Sequence, residues 1–294
     1  MRLAAIDIGS NAVRLLINDI HPWQEGEYDY TKLSFVRVPL RLGFDVFDRG
    51  VISEKKIKNL ADTLNAFQLL MRVYDVEDYR ICATSAMRDA QNAPEIIQQI
   101  KQQTGLQIDV ITGYQEARML FEAFPPTASL QNPRLVYIDV GGGSTEISLY
   151  ENKTCVLNQS FNVGTIRLLR NDVADTDWPL MKKFVKDNIL PGPQALAIGS
   201  GGNINKVFSL AKRKKDKPLD AELLNEYYKQ MQAMTVEERM HHFDLRADRA
   251  DVIVPALKIY TAIMRWGGIE KILVPQIGLS DGIVHHLFQE KRKA

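Results

Sequence analysis

The chain has few of the residues that most metal and redox sites need. Its 294 residues include two cysteines and five histidines. Cys82 and Cys155 have neither metal-site nor redox-motif spacing and lie in or beside predicted strands, so we expect both to be reduced thiols in the core. The histidines show no metal-ligand pattern. The sequence therefore gives no sign of a metal site built from thiols or imidazoles.

A strong charge imbalance and a long apolar run are also lacking. The net charge of +1 argues against bulk attraction to nucleic acid or to a membrane surface. No apolar run approaches the length that spans a bilayer. The first predicted strand begins directly after Met1, which leaves no room for a leader peptide. We therefore expect a cytoplasmic protein without nucleic-acid or membrane partners.

A phosphate-binding turn occurs twice in the sequence. Residues 7–11 read DIGSN and residues 139–146 read DVGGGSTE, each between an apolar run typical of a buried strand and a returning strand. Glycine lets the backbone approach a phosphate and turn its N–H groups toward the anion. The aspartate before each turn would repel phosphate unless a divalent cation lay between them. The two turns together predict a Mg²⁺–phosphate site, with Asp7 and Asp139 as metal ligands.

The order of predicted elements repeats in the same way. Each half reads as three strands followed by alternating helices and strands, and the Pro-Pro pair at 125–126 separates the halves. A length of 294 residues with 45% hydrophobic and 25% charged residues suits two globular domains. We predict duplicated α/β domains over residues 1–124 and 125–294, each with a mixed five-stranded sheet flanked by helices.

Several blocks of the sequence resemble the exopolyphosphatase/guanosine pentaphosphate phosphohydrolase family. Besides the two turns, they are ATSAMRDA at 83–90, GYQEAR at 113–118, VGTIRL at 163–168, IGSGGN at 198–203 and RADVIVP at 249–255. The resemblance covers essentially the whole chain in the family's order. It implies the fold of actin, sugar kinases and the large heat-shock chaperones, with two ribonuclease H-like domains and an interdomain cleft.

The resemblance also implies a reaction and its catalytic residues. Family members remove the terminal phosphate of inorganic polyphosphate, or the 5′ phosphate of guanosine pentaphosphate, with Mg²⁺. The family's two catalytic glutamates match Glu116 and Glu146, whereas Gln115 and Ala12 depart from the usual Glu and Ser. Phosphoanhydride hydrolysis needs an in-line water, a group that orients or deprotonates it, and cations. We expect Glu116 to be the general base and Glu146 to position water or metal, with the reverse assignment open.

Further polar residues and glycines are predicted to bind the phosphates. Arg88 follows a strand and a Thr-Ser pair, which suits a phosphate clamp, although a surface salt bridge is its other interpretation. The GSGGN loop at 199–203 would direct helix N-terminal amides at an anion. The basic run at 212–217 is either a track for a long polyanion or a solvated loop. The predicted phosphate-binding residues are Ser10, Asn11, Arg88, Gly142, Gly143, Ser144 and Gly201.

These observations predict a Mg²⁺-dependent exopolyphosphatase acting on inorganic polyphosphate, with a homodimer as one possible assembly. Guanosine pentaphosphate 5′-phosphohydrolase is the alternative within the same class, because no residue decides between the two substrates. A phosphate-binding or nucleotide-binding regulatory protein without turnover is the alternative from another class. The presence of both glutamates and both aspartates argues against the regulatory interpretation.

Overall fold

The computed structural model describes residues 1–24, 27–123, 134–152, 154–189, 195–214 and 217–293. The chain divides into two compact units. Unit 1 contains Met1–Ala123 and Leu279–Ala294, and unit 2 contains Phe124–Gly278. The predicted domain boundary follows residue 124, one residue after the end of the first segment of unit 1 at Ala123. The last helix, which the sequence analysis placed in the second domain, packs within unit 1.

Unit 1 is built on a five-stranded mixed sheet with the strand order β3-β2-β1-β4-β5. Strands β1 to β3 pair antiparallel, whereas β4 and β5 continue the sheet in parallel with β1. Its elements are β1 (Arg2–Ile8), β2 (Val13–Pro22), β3 (Tyr28–Val38), α1 (Gly43–Arg49), α2 (Glu54–Val73), β4 (Asp78–Ala83), α3 (Ser85–Asp89), α4 (Ala93–Thr104), β5 (Asp109–Val110), α5 (Gly113–Glu122) and α13 (Leu279–Lys293).

Unit 2 repeats this sheet with one strand more, in the order β10-β11-β9-β6-β7-β8. Its elements are β6 (Arg134–Val140), β7 (Thr145–Glu151), β8 (Thr154–Phe161), α6 (Thr165–Arg170), α7 (Asp177–Asn188), β9 (Ala195–Ser200), α8 (Gly202–Leu210), β10 (Leu219–Asp220), α9 (Ala221–Gln232), α10 (Val236–Phe243), α11 (Ala247–Ala250), α12 (Ile253–Gly267) and β11 (Lys271–Leu273).

The burial of the central strands explains their continuous apolar runs in the sequence. Strand β1 is buried at six of its seven positions, and β6 likewise, as expected of central strands covered on both faces. The edge strand β8 is largely exposed, and the edge strand β3 has no fully buried residue. Cys82 lies buried in β4, as predicted, but Cys155 is exposed on the edge strand β8, so its prediction as a core thiol is wrong.

Several short elements differ from the sequence-based expectation. Helices α1 and α3 and the two-residue strand β10 were not predicted, and β10 makes the second sheet six-stranded instead of five-stranded. The RADVIVP block at 249–255 spans a break between two helices, since α11 ends at Ala250 and α12 begins at Ile253. Among the described helices, none combines the length and the apolar character that crossing a bilayer requires.

Candidate functional site: phosphate loops and paired carboxylates

In unit 1, the first predicted phosphate turn is the tight loop between β1 and β2. The Gly9 N–H donates to the Ala12 carbonyl at 3.1 Å, which closes the turn. Ser10 is buried, and its Oγ lies 2.8 Å from the Oγ of Ser85 at the start of α3. The Ser10 carbonyl accepts from the Gly43 N–H at 2.8 Å, at the start of α1. The loop is therefore fixed by two short helices that the sequence analysis did not predict.

Asp7 and Arg14 face each other across this hairpin and form an ion pair. They are direct cross-strand partners in the β1–β2 register. Arg14 Nη1 lies 2.5 Å from Asp7 Oδ2, and the Asp7 side chain is almost completely buried. A guanidinium thus neutralises the carboxylate that was predicted to bind a metal.

The predicted base Glu116 lies in the first turn of α5, and the helix start fixes its register. Thr112 is the N-cap, and its Oγ1 accepts from the Gln115 N–H at 3.2 Å. The Gln115 side chain accepts in return from the Thr112 N–H at 2.9 Å. In such a capping box, Gln and Glu serve equally at this position. Gln115, which departs from the family's usual Glu, therefore still forms the capping box at the start of α5. The next residue, Glu116, is half-buried.

Glu116 and Asp7 share an electrostatic neighbourhood in unit 1. Burial, together with smaller contributions from the charges of Asp109, Asp7 and Glu116, raises the pKa of the Cys82 thiol to about 12. Cys82 is also the direct partner of Asp7 in the parallel β1–β4 register. Arg88 Nη1 donates to the Ile111 carbonyl at 3.0 Å, just before the N-cap of α5. The structure therefore brings the predicted phosphate clamp to the start of the helix that bears Glu116.

In unit 2, Asp139 occupies the position equivalent to Asp7, but a second carboxylate lies opposite. Asp139 and Glu146 are direct cross-strand partners in the β6–β7 register. Both are buried, at 8% and 1% exposure. Directly opposed residues have Cβ atoms about 4.5–5.5 Å apart, and like charges at such positions repel each other. A cation bound between the two carboxylates would relieve this repulsion.

Serine hydroxyls hold the Glu146 carboxylate. Ser144 donates to Oε1 at 2.7 Å and Ser160 donates to the same oxygen at 2.9 Å. Ser144 belongs to the glycine-rich turn, and Ser160 is the partner of Glu146 in β8. Ser144 was predicted to bind phosphate, and it also orients the neighbouring glutamate.

The glycines of the second turn are fixed by the segment that begins α6. The Gly141 carbonyl accepts from the Thr165 N–H at 3.0 Å, and the Gly142 carbonyl from the Ile166 N–H at 2.8 Å. A Cβ on Gly164 would lie 2.4 Å from the Gly142 oxygen and from the Gly143 carbonyl carbon. Only glycine fits at 164, so the sequence block VGTIRL determines the path of the phosphate loop.

Gly201 joins this group from the end of β9. It is the N-cap of α8 with φ of 108°, a backbone conformation that favours glycine. A Cβ there would lie 3.2 Å from Asp139 Oδ1. Tyr260 of α12 donates its hydroxyl to the Ser200 carbonyl, and Ser200 is the β9 partner of Asp139. The structure thus brings Asp139, Glu146, Ser144 and Gly201 together in unit 2.

Comparison with known proteins identifies the family of this chain. Residues 24–291 match the Ppx/GppA phosphatase family. The chain belongs to this family. The predicted family is confirmed, and with it the predicted class of enzyme, a phosphoanhydride hydrolase.

Two relatives of different activity are similar over most of this Ppx/GppA chain. Exopolyphosphatase 1 of Mycobacterium tuberculosis is 26% identical over 305 residues, covering 97% of this chain and 87% of that protein. Guanosine-5'-triphosphate,3'-diphosphate pyrophosphatase of Photobacterium profundum is 25% identical over 307 residues. That alignment covers 98% of this chain and 60% of the relative.

Solved structures confirm the predicted actin-like α/β fold. An exopolyphosphatase from Cytophaga hutchinsonii has a TM-score of 0.83 at 23% identity and covers 99% of this chain and 98% of its own. A family member from Aquifex aeolicus has a TM-score of 0.77 at 24% identity, with 100% and 99% covered.

Arg249 lies beside the GSGGN loop, and its role was not predicted from the sequence. Its guanidinium lies against the first turn of α8, where a Cβ on Gly202 would be 2.5 Å from Nη1. Nη1 also donates to Asn203 Oδ1 at 3.3 Å. The signal in the sequence is a charged residue inside the RADVIVP block, but only the fold brings it to the GSGGN loop.

Two other features stay apart from the phosphate loops. In the predicted basic track, Arg213 pairs with Asp220 at 3.3 Å, while Lys215 lies outside the described residues. A cavity of about 1120 Å³ in unit 2 is lined by Trp178, Trp266 and Lys271, among others, and by none of the predicted site residues. Lys271 is the first residue of β11, so this cavity lies at the end of the sheet opposite to the loops.

Proposed function

We propose that this protein is an exopolyphosphatase that hydrolyses the terminal phosphate of inorganic polyphosphate by attack of water. The observation that carries the proposal is the pair of buried carboxylates, Asp139 and Glu146, beside a glycine-rich phosphate turn. The exopolyphosphatase relative supports it, because that relative is matched over 87% of its length. The pyrophosphatase relative is matched over only 60%.

We assign the two glutamates complementary roles in the reaction. Glu116 would act as the general base on the attacking water, since it is half-buried at the start of a helix whose register the capping box fixes. Glu146 would position water or metal, because two serine hydroxyls already orient its carboxylate. Within each unit, the predicted phosphate-binding residues would bind phosphate groups, and the turn in each unit is closed by backbone hydrogen bonds.

The carboxylates of unit 2 fit Mg²⁺. Magnesium is a hard cation, commonly bound through one or two carboxylates together with water and substrate phosphates. Within the part of the chain that the structure describes, no group of three or more His, Cys, Asp or Glu residues could hold a metal alone. Asp139 and Glu146 supply two carboxylates, and bound Mg²⁺ would neutralise the charge on the transferring phosphoryl group. In unit 1, Asp7 is already paired with Arg14.

A second candidate is hydrolysis of the 5′ phosphate of guanosine pentaphosphate. Arg249 of α11 favours this activity, because its guanidinium lies beside the N-terminus of α8. A guanidinium at a helix N-terminus suits an additional phosphate group. A regulatory protein without turnover is the third candidate. The capping box weakens that candidate, since Gln115 preserves the structure around Glu116.

Phosphate release from purified protein tests these candidates directly. The substrates are short polyphosphate, long polyphosphate, guanosine pentaphosphate and ATP, each with Mg²⁺ or with a chelator. We expect Mg²⁺-dependent release that is fastest from polyphosphate. Faster release from guanosine pentaphosphate would favour the second candidate, and no release from any substrate would favour the regulatory protein.

Two substitutions test the catalytic roles. We expect Glu116→Gln and Glu146→Gln each to lower kcat by about 10²–10⁴-fold, with KM changed only a few-fold, because a base acts in the transition state. Glu151→Gln is the matched control, since Glu151 lies on the same strand as Glu146 and pairs with Arg134 at 2.9 Å. Near-normal turnover in both active-site variants would refute the assignment.

A further inference from the structure

The C-terminal helix α13 packs against α5, the helix that bears Glu116, by direct backbone contact. The contact is at Gly282, in the first turn of α13. A Cβ added to Gly282 would lie 2.6 Å from both the carbonyl carbon and the oxygen of Met119, and 3.0 Å from the Leu120 nitrogen. These are backbone atoms inside a helix, so no side-chain rotation could relieve the clash. The two helices can approach this closely only with glycine at 282.

Met119 is less than one turn from Glu116 along α5. Three residues of helix correspond to about 4.5 Å along the axis. The capping box of Thr112 and Gln115 fixes the beginning of α5. Gly282 therefore meets the helix just beyond the first turn that carries Glu116.

A second contact fixes the other end of α5. His286 Nδ1 lies 3.1 Å from Glu122 Oε2, and Arg118 Nε donates to Glu122 Oε1 at 2.8 Å. His286 follows Gly282 by four residues on α13, so both contacts come from the same face of that helix. α13 thus holds α5 at its middle and at its end.

We propose that Gly282 is a positioning residue for Glu116: its lack of a side chain lets α13 set the position of α5, and hence of the general base. The inference rests on the proposed function, in which Glu116 acts on the attacking water. It assigns a role in the reaction to a helix that contains none of the predicted site residues.

The expected effect follows from the size of the forced movement. Carbon atoms in contact prefer a separation of about 3.5–4.0 Å. A methyl group at 282 would therefore displace the α5 backbone by about 1 Å. A displacement of that size far from the chemistry can lower turnover by about 10²-fold. Substrate binding should change little, because the phosphate turns lie on other elements.

The first experiment compares Gly282→Ala with Lys32→Ala. Lys32 of β3 pairs with Asp281, the residue before Gly282, at 2.5 Å, so its removal weakens α13 docking on the sheet side only. For Gly282→Ala we expect kcat to fall by about 10²-fold, with KM for short polyphosphate within a few-fold. For Lys32→Ala we expect an unchanged kcat. An unchanged kcat in folded Gly282→Ala, or equal losses in both variants, would overturn the proposal.

A double-mutant cycle separates positioning of Glu116 from a general loss of structure. If Gly282 acts through Glu116, Gly282→Ala should have almost no further effect on kcat in the Glu116→Gln background. An undiminished effect there would show that Gly282 does not act through Glu116. If Gly282→Ala does not fold, His286→Ala carries the test, and we expect a smaller loss of kcat in the same direction.

Hydrogen exchange of the α5 amides distinguishes failure of this inference from failure of the proposed function. We expect lower protection in α5 for Gly282→Ala and wild-type protection for Lys32→Ala. Unchanged α5 protection would refute the helix contact itself. A wild-type protein that hydrolyses no substrate would refute the proposed function, and the exchange data would still decide whether Gly282 sets the position of α5.

Discussion

Asp7 and Asp139 are equivalent residues whose cross-strand partners carry opposite charges. Arg14 faces Asp7, and Glu146 faces Asp139. The first pair joins an acidic and a basic side chain, whereas the second places two carboxyl groups opposite each other in a buried place. We therefore expect a bound cation to stabilise the second hairpin more than the first. The duplicated turn has kept its backbone in both units while the residue opposite the aspartate differs in charge.

Neutralising each aspartate should therefore change stability in opposite directions when Mg²⁺ is absent. We expect Asp139→Asn to raise Tm in chelator, because it relieves carboxylate repulsion. Asp7→Asn should destabilise the fold by about 1–3 kcal/mol, because it weakens the charged hydrogen bond to Arg14. Thermal melts with and without Mg²⁺ measure both effects. A lower Tm for Asp139→Asn in chelator would contradict the repulsion.

The same variants report on metal binding during turnover. Asp139→Asn should raise the Mg²⁺ concentration required for half-maximal activity, since an amide offers the cation less charge than a carboxylate. Asp7→Asn should raise it less. An identical Mg²⁺ titration for Asp139→Asn and the wild type would remove Asp139 from the metal site.

At the scale of the element, the second phosphate loop depends on the start of α6. The carbonyls of Gly141 and Gly142 accept hydrogen bonds from that segment, and Gly164 leaves no space for a side chain. The loop and the N-terminus of α6 are therefore held together, and a change in one should move the other. Its shape is set by a glycine that does not belong to the DVGGGSTE turn.

Gly164→Ala should accordingly impair phosphate binding. A Cβ would lie 2.4 Å from the Gly142 oxygen, so the loop must move. We expect KM for short polyphosphate to rise by about tenfold or more, which corresponds to about 1.4 kcal/mol of binding. Gly105→Ala is the control, because that glycine has φ of 73° and open space around its Cβ position. It should destabilise the fold without changing KM, and equal KM values in the two variants would refute the role of Gly164.

The long and periodic elements were predictable from the sequence, whereas the short ones were not. Central strands such as β1 and β6 carry continuous apolar runs that the sequence shows directly. Helices α1 and α3 have five to seven residues and no side-chain cap, so tertiary contacts decide whether they form. The break before α12 had a signal, since Pro255 is tolerated only in the first turn of a helix.

The candidate site was predictable in composition but not in pairing. The turns, the two aspartates and the two glutamates are all visible as motifs. The Asp7–Arg14 ion pair and the opposed Asp139–Glu146 carboxylates depend on strand register. The Gly282 contact depends on which element the last helix packs against. The apolar face of an amphipathic helix shows that it packs against something, but not against which element.

At the scale of the whole molecule, unit 1 is assembled from both ends of the sequence. Leu279–Ala294 belongs to the same compact unit as Met1–Ala123. α13 packs on α5 and on strands β1, β2 and β4, and Lys291 pairs with Asp78 at 2.7 Å. The last helix is thus part of the core of the first unit. The predicted homodimer stays a prediction.

Removal of α13 should therefore damage unit 1 selectively. In a chain ending at Gly278, we expect the exchange protection of α5 and β1 to fall, while α12 and β6 of unit 2 keep theirs. Calorimetry should resolve two transitions, with only one shifted to lower temperature. A uniform loss of protection in both units would contradict an independent unit 2.

The discontinuity of unit 1 has a consequence for biosynthesis. A ribosome adds about 5–20 residues per second, so making Phe124–Gly278 takes about 8–30 seconds. During that interval α13 has not yet been made. The apolar surface of β1 and α5 that this helix covers in the finished protein is therefore still uncovered by it. Unit 2, whose chain is continuous, has all of its residues before unit 1 does. The nascent protein should therefore complete unit 2 before unit 1. We expect chaperones to bind the surface of unit 1 that α13 later covers.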